Sequence, residues 1–392
     1  MKKSVKHTIS ILTASDFPYH GAAESFVRQL SLGLHHNKAK IHIYRYWGNL
    51  YSQENDTAIK VYNYLFHRKP SGNGILKVAD VISKIFYIPF FLYRISQRRK
   101  SHILIIYGLD YAFFLGPLLV LSKLFNISCF RIITDYRVAE YTPNDWTKKI
   151  KLFLTYKQHE ILDRYFNGIL VLSNQLKKML IENHVGDNKI LLIPHFIDMD
   201  TQRSWSRNKS PYRIGYCGNM ESKNGIKYLI DAFSIIQKEY FSAELFLIGK
   251  VDAELKKKIR LLQHSNIHQL GLLSIKDVEN ELSQCSVLVN PRSKSKWADA
   301  GFPTKIGEYF STQIPVVSTK VGDLPKYMSD KKELLFAEPN NSKSLADSIK
   351  FIFDNPFMAA IIGINGYEWA NSNLEYRSNA QKFLNFIYFN VE

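Results

Sequence analysis

Cysteine is scarce in this sequence, and the cysteines it has are far apart. The 392 residues contain three, at positions 129, 217 and 285, and no Cys-x-x-Cys motif. A disulfide framework and a cysteine-ligated zinc site are therefore excluded as the basis of the fold. We expect a chain that folds around ordinary hydrophobic cores in a reducing cytoplasm, without a structural metal.

Long hydrophobic runs are also missing. The longest, at 111–121, is too short to cross a bilayer and is interrupted by Gly116 and Pro117. The basic N-terminus is followed by a short apolar run at 9–12, which predicts a first β-strand rather than a signal peptide. We therefore expect no transmembrane anchor.

Acidic residues are too few to balance the basic ones. The chain has 52 Lys and Arg against 35 Asp and Glu, a formal net charge of +17. The first 200 residues hold 27 of these basic and 15 of these acidic side chains. Such a surface attracts nucleic acid, anionic lipid or phosphorylated substrates. Because all three are anionic, the positive net charge does not distinguish among them. We expect no nucleic-acid partner, because basic residues interleaved with exposed aromatics on a recognised module are not evident.

The glycine-rich dinucleotide fingerprint is absent as well. The loop after the first predicted strand, ASDFPYHGAAES, has a single glycine, whereas a nicotinamide-dependent oxidoreductase needs G-x-G-x-x-G there. What the sequence does contain is an alternation of strand-like runs and helical patterns. Strands are predicted at 7–13, 40–46, 102–107, 128–134, 168–172 and 190–193, and then at 213–217, 244–248, 267–270, 287–290, 315–318 and 334–336.

Repeated βα units predict parallel sheets covered on both faces. The polar, aperiodic segment 198–211 is typical of a linker between two such sheets. The predicted fold is therefore α/β, with two doubly wound Rossmann-like domains at 1–198 and 199–372 that face each other across a cleft. The last segment, 373–392, is a predicted helix that either closes the second domain or crosses back to the first.

The stretch GFPTKIGEYFSTQIPVVS, at 301–318, places Lys305 and Glu308 one turn apart at the start of a short helix. Open α/β sheets bind ligands at such places, where helix N-termini present free amides. The preceding loop holds Arg292, Lys294 and Lys296, and together with Lys305 these cations are suited to a diphosphate, while Glu308 is suited to a pair of sugar hydroxyls. An ordinary solvated helix stays an open alternative, because a Lys–Glu pair on a helix stabilises it by only about 0.2–0.5 kcal/mol.

This stretch resembles the donor-site segment of glycosyltransferase family 4, the retaining GT-B enzymes, and in particular the branch that reads F-P-T/S-K-x-x-E-Y. Other stretches resemble the family in the same order along the chain. DFPYHGAAESFVRQLSLGL is similar to its first glycine loop and helix, FNGILVLSNQLKKML and ILLIPHFIDMD to the end of its first domain, and RIGYCGNMESKNGIKYLIDAF to the start of its second. The order and spacing of these blocks together make the resemblance specific.

The resemblance implies an enzyme that moves a hexosyl or related sugar from a UDP- or GDP-sugar to a glycan or lipid-linked acceptor, as in bacterial surface polysaccharide synthesis. It makes the first domain the acceptor domain and the second the nucleotide-sugar donor domain. It implies that Glu308 binds the ribose hydroxyls, that the amides of 301–304 approach the donor sugar and diphosphate, and that Gly21 closes on the phosphates. The implied donor-binding residues are Gly21, Gly218, Asn219, Lys223, Gly301, Phe302, Pro303, Thr304 and Glu308.

The sequence departs from the family at charged positions of the second domain. The family's Glu-x7-Glu pattern places its first glutamate at Ala300, where Asp299 is the nearest carboxylate. Its arginine and lysine phosphate clamp corresponds to Asn219 and Asn224, with Lys223 adjacent.

In the first domain, the family's frequent active-site histidine has no clear match, and Asp135 in TDYR lies near that place. His195 in IPHFID stands where asparagine is more usual. A loop histidine, His20, either lines the cleft or is merely solvated. The candidate catalytic residues are Arg292, Lys305, Asp299 and Asp135.

The expected chemistry follows from the departing diphosphate, whose developing charge needs fixed cations. This interpretation assigns no Asp-x-Asp stretch as a metal pair, so we expect Arg and Lys side chains to supply the cations, with no metal or other cofactor besides the nucleotide-sugar co-substrate. Because the clamp is missing, an inactive GT-B fold that binds a nucleotide sugar or acts as a scaffold is the alternative.

The segment 74–100 combines apolar and aromatic residues with the basic end Arg98, Arg99 and Lys100. It predicts either a helix lying on an anionic membrane or a core helix that covers the sheet. A lipid-linked acceptor would suit the first interpretation. We expect a cytoplasmic protein, free or peripheral on the inner face of the cell membrane.

Overall fold

The computed structural model describes most of the chain. Described are residues 8–15, 21–46, 59–63, 83–97, 102–109, 112–135, 160–200, 211–220, 224–251 and 266–391, and the single residues 153, 157, 255, 257 and 259. The chain divides into two compact units, Met1–Phe196 with Tyr376–Glu392, and Ile197–Glu375. The boundary lies close to the one expected at 198, and the C-terminal helix belongs to the first unit.

The first unit contains a parallel sheet. Within the described residues it has seven strands in the order β3-β2-β1-β4-β5-β6-β7. These are β1 (Thr8–Thr13), β2 (Lys40–Arg45), β3 (Ile59–Asn63), β4 (Ile103–Tyr107), β5 (Ser128–Ile133), β6 (Gly168–Val171) and β7 (Ile190–Leu192). All but β3 match predicted strands. Strand β3 was not predicted because it lies at the sheet edge and alternates a buried Ile59 with an exposed Lys60, whereas every residue of the central strands β1 and β4 is buried.

The second unit contains a parallel sheet of the same kind. Its described residues form six strands in the order β10-β9-β8-β11-β12-β13. These are β8 (Arg213–Cys217), β9 (Glu244–Ile248), β10 (Ile267–Gly271), β11 (Val287–Asn290), β12 (Val316–Thr319) and β13 (Leu335–Ala337). Each lies within one residue of a predicted strand. The two sheets confirm the predicted fold class of two doubly wound Rossmann-like domains.

Helices connect the strands. In chain order they are α1 (Ala22–His36), α2 (Ile88–Ser96), α3 (Ala112–Leu124), α4 (Asn174–Glu182), α5 (Ile226–Ile236), α6 (Ile275–Ser283), α7 (Lys296–Ala300), α8 (Thr304–Phe310), α9 (Leu324–Tyr327), α10 (Ser342–Asp354), α11 (Pro356–Leu374) and α12 (Tyr376–Val391). The apolar residues of α5 are spaced three and four apart, and this face is buried in the second unit's core.

The C-terminal helix α12 packs on α1 in the first unit. A Cβ built on Gly33 would lie 2.5 Å from the backbone oxygen of Tyr376 and 2.7 Å from the Cβ of Ala380. The side-chain amide of Asn37 also donates a hydrogen bond of 2.8 Å to the backbone oxygen of Arg377. The absence of a side chain at Gly33 therefore allows the two helices to approach closely.

Helix α2 lies in the described part, 83–97, of the segment 74–100. One of its faces is buried through Ile88, Phe91, Leu92 and Ile95, as expected of a helix that covers a sheet. Its other side is exposed at Phe90 and Tyr93. No helix among the described residues is long and apolar enough to span a membrane. The basic residues 98–100 lie outside the described residues.

Candidate functional site

The second sheet reverses its strand order between β8 and β11, and the loops after these two strands meet there. Gly225, in the turn that precedes α5, has a φ of +73°, and a Cβ on it would lie 1.8 Å from the backbone oxygen of Pro291. The loop that follows β8 therefore packs directly on the backbone that follows β11. In open α/β sheets, this reversal point at the carboxyl ends of the strands is where ligands bind.

One face of α8 is fixed to the carboxyl end of β8. The ammonium of Lys305 donates a hydrogen bond of 2.8 Å to the hydroxyl of Tyr216, and it lies 4.6 Å from the centre of that ring. One turn on, the hydroxyl of Tyr309 accepts a hydrogen bond of 2.9 Å from the Cys217 backbone N–H and donates one of 3.2 Å to the Cys217 oxygen. Two residues four apart on α8 thus contact two successive residues of β8.

Gly218 provides the space that Lys305 occupies. Its φ is +144°, and a Cβ on it would lie 2.2 Å from the Cε and 2.7 Å from the Nζ of Lys305. The backbone oxygen of Gly218 lies in turn against Gly249 at the end of β9, where a Cβ would approach it to 2.2 Å. A side chain at either position would push apart groups that are now in contact.

Glu308 is half-buried on the same face of α8. Burial first, and then the charge of Glu308, raise the pKa of the Cys217 thiol to about 12, while the nearby Lys305 opposes the shift. Both charged side chains are thus close to the end of β8. The thiol stays protonated at neutral pH, so Cys217 is not a nucleophile.

The two asparagines in place of the family's cationic clamp have structural contacts. The backbone oxygen of Asn219 accepts a hydrogen bond of 2.9 Å from the Tyr216 hydroxyl and one of 2.6 Å from the side-chain amide of Asn224. Asn224 is therefore tied to the backbone that follows β8. Lys223, the adjacent cation, lies outside the described residues.

Arg292 and Asp299 lie in the segment that connects β11 to α8. Arg292 is 8% exposed, and its backbone oxygen accepts a hydrogen bond of 2.6 Å from the hydroxyl of Thr319 at the end of β12. The carboxylate of Asp299 accepts a hydrogen bond of 3.0 Å from the backbone N–H of Gly322. Asp299 therefore fastens this segment to the loop after β12, a contact that the sequence did not predict.

The backbone between α7 and α8 is buried. Gly301, Phe302 and Pro303 are all inaccessible, and Thr304 begins α8 half-exposed. The ring of Phe302 lies 6.4 Å from that of Tyr327. The structure thus brings Lys305, Glu308, Gly218 and Asn219 together at the end of β8, with Arg292, Asp299 and 301–304 on the neighbouring segment.

In the first unit, Gly21 and Asp135 follow β1 and β5 at the carboxyl edge of the sheet. Gly21 is extended, with a φ of 174°, and a Cβ on it would lie 2.1 Å from a carboxylate oxygen of Glu24. Burial raises the pKa of the Tyr107 hydroxyl at the end of β4, and the charges of Asp135 and Glu24 add to this effect. Glu24 and Tyr107 thus share this edge with the predicted residues, although sequence analysis did not assign them to the site.

His195 is a buried packing residue of the first unit. Its ring lies edge-on to Phe26 at 5.6 Å, and Phe26 stacks on Tyr107 at 5.3 Å. The Nδ1 of His195 accepts a hydrogen bond of 2.8 Å from the backbone N–H of Phe196, while Nε2 has no partner among the described residues. Burial lowers the pKa of His195 to about 4, so the ring is neutral at physiological pH. His20, the other histidine considered, lies outside the described residues.

No group of three or more His, Cys, Asp or Glu side chains comes together among the described residues to hold a metal ion.

Sequence comparison identifies relatives of the second unit. Residues 211–355 match the family described as Glycosyl transferases group 1. An uncharacterized glycosyltransferase of Methanocaldococcus jannaschii is 28% identical over 222 residues, which are 54% of this chain and 59% of that protein. The match therefore spans less than two thirds of that relative's length.

Structural comparison extends over both units. Sucrose-phosphate synthase from Thermosynechococcus elongatus superposes with a TM-score of 0.74 at 16% identity, over 97% of this chain and 98% of that structure. The Anabaena protein HepE, solved in complex with UDP, superposes with a TM-score of 0.69 at 14% identity, over 97% and 99%. At these identities the likeness concerns the fold. The chain has the two-domain fold of GT-B glycosyltransferases, and its residues 211–355 match the group 1 glycosyl transferases.

Proposed function

We propose that the protein is a retaining glycosyltransferase of family 4, which transfers a sugar from a nucleoside diphosphate to a glycan or lipid-linked acceptor in bacterial surface polysaccharide synthesis. The observation that carries this proposal is the contact of Lys305 with Tyr216 and Gly218, with Glu308 one turn along the same helix face. The family match of residues 211–355 and the UDP bound to HepE support it.

The arrangement suits a nucleoside diphosphate because it presents two kinds of group side by side. Residues three apart on a helix have their Cβ atoms about 5–6 Å apart, close to the separation of a ribose from the phosphates attached to it. Lys305 meets the diphosphate, and Glu308 accepts hydrogen bonds from the ribose hydroxyls. Arg292, on the neighbouring segment, is the second cation.

These cations act on the leaving group. As the anomeric bond breaks, negative charge develops on the departing diphosphate, and a fixed cation stabilises it more in the transition state than in the bound donor. The acceptor hydroxyl enters on the side that the diphosphate leaves, so the anomeric configuration is retained without a protein nucleophile. In the first unit, Asp135 and Gly21 lie at the sheet edge that we assign to the acceptor and the phosphates.

The proposal is tested by nucleotide binding and then by transfer. We expect UDP or GDP to raise the melting temperature, and the corresponding sugar nucleotide to be hydrolysed or transferred with retention of the anomeric configuration, as read by NMR. Nucleotide binding without hydrolysis or transfer would favour the inactive, scaffold alternative. No binding of any nucleoside diphosphate would refute both.

We also propose that the first unit docks on an anionic membrane, where a lipid-linked acceptor would lie. The ring of Tyr44 in β2 contacts Phe91 of α2, and the ring of Tyr46, directly after β2, contacts Phe114 of α3. Residues two apart along a strand point to the same face of a sheet, so both helices cover the same face. Their outer residues, together with Phe86 just before α2, form an exposed apolar surface: Phe86, Phe90, Tyr93, Val120 and Leu124.

Basic side chains accompany this exposed apolar surface. Arg94 and Lys123 are exposed beside it, and the guanidinium of Arg94 lies 5.9 Å from the centre of the Phe90 ring. Apolar side chains flanked by cations favour the interface of an anionic bilayer. This surface supports peripheral attachment on the cytoplasmic side of the membrane.

A further inference from the structure

We infer that Tyr216 is a positioning residue that directs the ammonium of Lys305 toward the donor diphosphate. This inference rests on the proposed function, since it concerns the cation that we assign to the diphosphate. The hydroxyl of Tyr216 accepts the hydrogen bond of 2.8 Å from Lys305, whose ammonium also lies over the aromatic ring. The lysine is thus held at its charged end by both parts of one tyrosine.

The direction of this contact is fixed by a second hydrogen bond. A phenol hydroxyl has one proton, and Tyr216 donates it to the backbone oxygen of Asn219 at 2.9 Å. Its oxygen lone pairs are therefore the part that meets Lys305. The ammonium of Lys305 carries three donor hydrogens, and the hydrogen bond to Tyr216 uses one of them.

Tyr216 is itself held by the core. Its side chain is fully buried in the second unit, and its hydroxyl donates to the backbone that follows β8. Because close packing restricts a buried ring, we expect the lysine that it holds to be ordered before a ligand arrives. A cation ordered in advance loses less conformational freedom on binding than a solvated one.

The asparagines at the clamp positions complete this arrangement. Asn224 donates its hydrogen bond of 2.6 Å to the same Asn219 oxygen that receives the Tyr216 proton. Where the family has two cations, this chain has two asparagines whose shared hydrogen bonds orient one tyrosine, and through it one lysine. The two asparagines thus substitute for the clamp by positioning Lys305 instead of contacting the phosphates themselves.

The test compares Tyr216→Phe, which keeps the ring and removes the hydroxyl, with the parent. Calorimetry uses whichever of UDP or GDP the parent binds more tightly, and the matching monophosphate. We expect diphosphate affinity to fall about tenfold, because a hydrogen bond to a charged group is lost, and monophosphate affinity to change less than about twofold. In a Lys305→Met background, adding Tyr216→Phe should change neither affinity.

Tyr212→Phe is the matched control. Tyr212 precedes the same strand at its opposite end, where its ring packs on Tyr240 and Phe353, so both affinities should stay as in the parent. Asn224→Ala is the second variant if Tyr216→Phe does not fold, and it should weaken diphosphate binding selectively but less.

Three outcomes overturn the inference and can be told apart. If the parent binds diphosphate more tightly than monophosphate and the Tyr216→Phe protein does so equally, Tyr216 does not position the cation, while the proposed function stands. If the parent binds no nucleotide, the proposed function fails and this inference with it. Equal weakening of both nucleotides would make the hydroxyl a general structural contact, which also contradicts the inference.

Discussion

The charged end of Lys305 lies directly against the backbone of Gly218, where a Cβ would come within 2.2 Å of the lysine Cε. The two residues are far apart in the sequence, one after β8 and the other in α8. A lysine side chain occupies the volume that any larger residue at 218 would need. The first prediction concerns this contact.

We expect Gly218→Ala to weaken nucleoside diphosphate binding about tenfold, because it displaces the ammonium that we assign to the diphosphate. The positive φ adds a folding cost of about 1–3 kcal/mol. Gly271→Ala is the control, since its φ is +69° but no described atom lies within 4 Å of the added Cβ. Equal loss of nucleotide affinity in both variants would mean that strain, and not the lysine, is responsible.

Replacing the two assigned cations should slow the reaction. Methionine keeps much of the side-chain volume of Arg292 and Lys305 and removes the charge, so each single variant should lose about a hundredfold in kcat. Lys343→Met, on the exposed side of α10, should leave kcat unchanged. A folded double variant with the parent's turnover would place the cations elsewhere, with Lys223 and Arg137 the next residues to test.

Glu308→Gln should lose its preference for the ribose 2′-hydroxyl. A carboxylate accepts hydrogen bonds from hydroxyls more strongly than a neutral amide oxygen does, so nucleoside diphosphate affinity should fall about tenfold. The matched measurement uses the 2′-deoxynucleoside diphosphate, which should bind the parent more weakly but the variant almost as well as the ribonucleotide. A variant that keeps the parent's discrimination between the two would remove Glu308 from the ribose.

Membrane docking should depend on the apolar surface of α2 and α3 and on salt. We expect Phe86→Ser with Phe90→Ser to abolish binding to anionic vesicles, and parent binding to weaken steeply between low and high salt. Neutralising Arg98, Arg99 and Lys100 should act in the same direction as salt.

Phe357→Ser is the matched control for docking, because Phe357 is 78% exposed in the second unit and Phe86 is 80% exposed in the first. Its vesicle binding should equal the parent's. A docking surface on α2 and α3 would be contradicted if Phe357→Ser lost as much vesicle binding as the Phe86→Ser, Phe90→Ser variant. Vesicle binding that salt does not affect would also contradict it.

His195 should make stability depend on pH. Its folded pKa of about 4 lies below the ordinary 6.5, so the unfolded chain binds the extra proton between these values. The stabilisation is present above pH 6.5 and is lost as the pH falls toward 4, by on the order of 3 kcal/mol. Urea unfolding of His195→Asn should be less steeply pH-dependent in this window than unfolding of the parent. Parallel curves for the two proteins would rule the effect out.

Local signals made most of the fold predictable. Strands such as β4 (ILIIY) and β6 (GILV) are buried on both sides and so form short, uninterrupted apolar runs, which distinguishes them from helices in a single sequence. The edge strand β3 was not predicted from the sequence, because one side of it faces solvent at Lys60. In the site, the spacing of Lys305 and Glu308 was visible, since residues three apart on a helix lie on the same face.

The contacts of these side chains were not predictable in this way. Tyr216 is 89 residues from Lys305 in the chain, and no local pattern marks a strand tyrosine whose hydroxyl will meet a lysine. Asp299 was identified only as the carboxylate nearest to a missing glutamate, whereas its partner is a backbone N–H after another strand. Glu24 and Tyr107 went unassigned because their proximity depends on two strands that pair only in the folded sheet.

By itself, the sequence determined the two alternating βα units, the segment 301–318 and the charged pair within it, because periodicity and helix geometry act over a few residues. The tertiary structure decided what that pair touches. Sheet order brought β8 beside β11, and the glycine at 218 left room for the ammonium of Lys305 on Tyr216. Long-range placement of this kind is set by the packing of whole elements, which no stretch of neighbouring residues encodes alone.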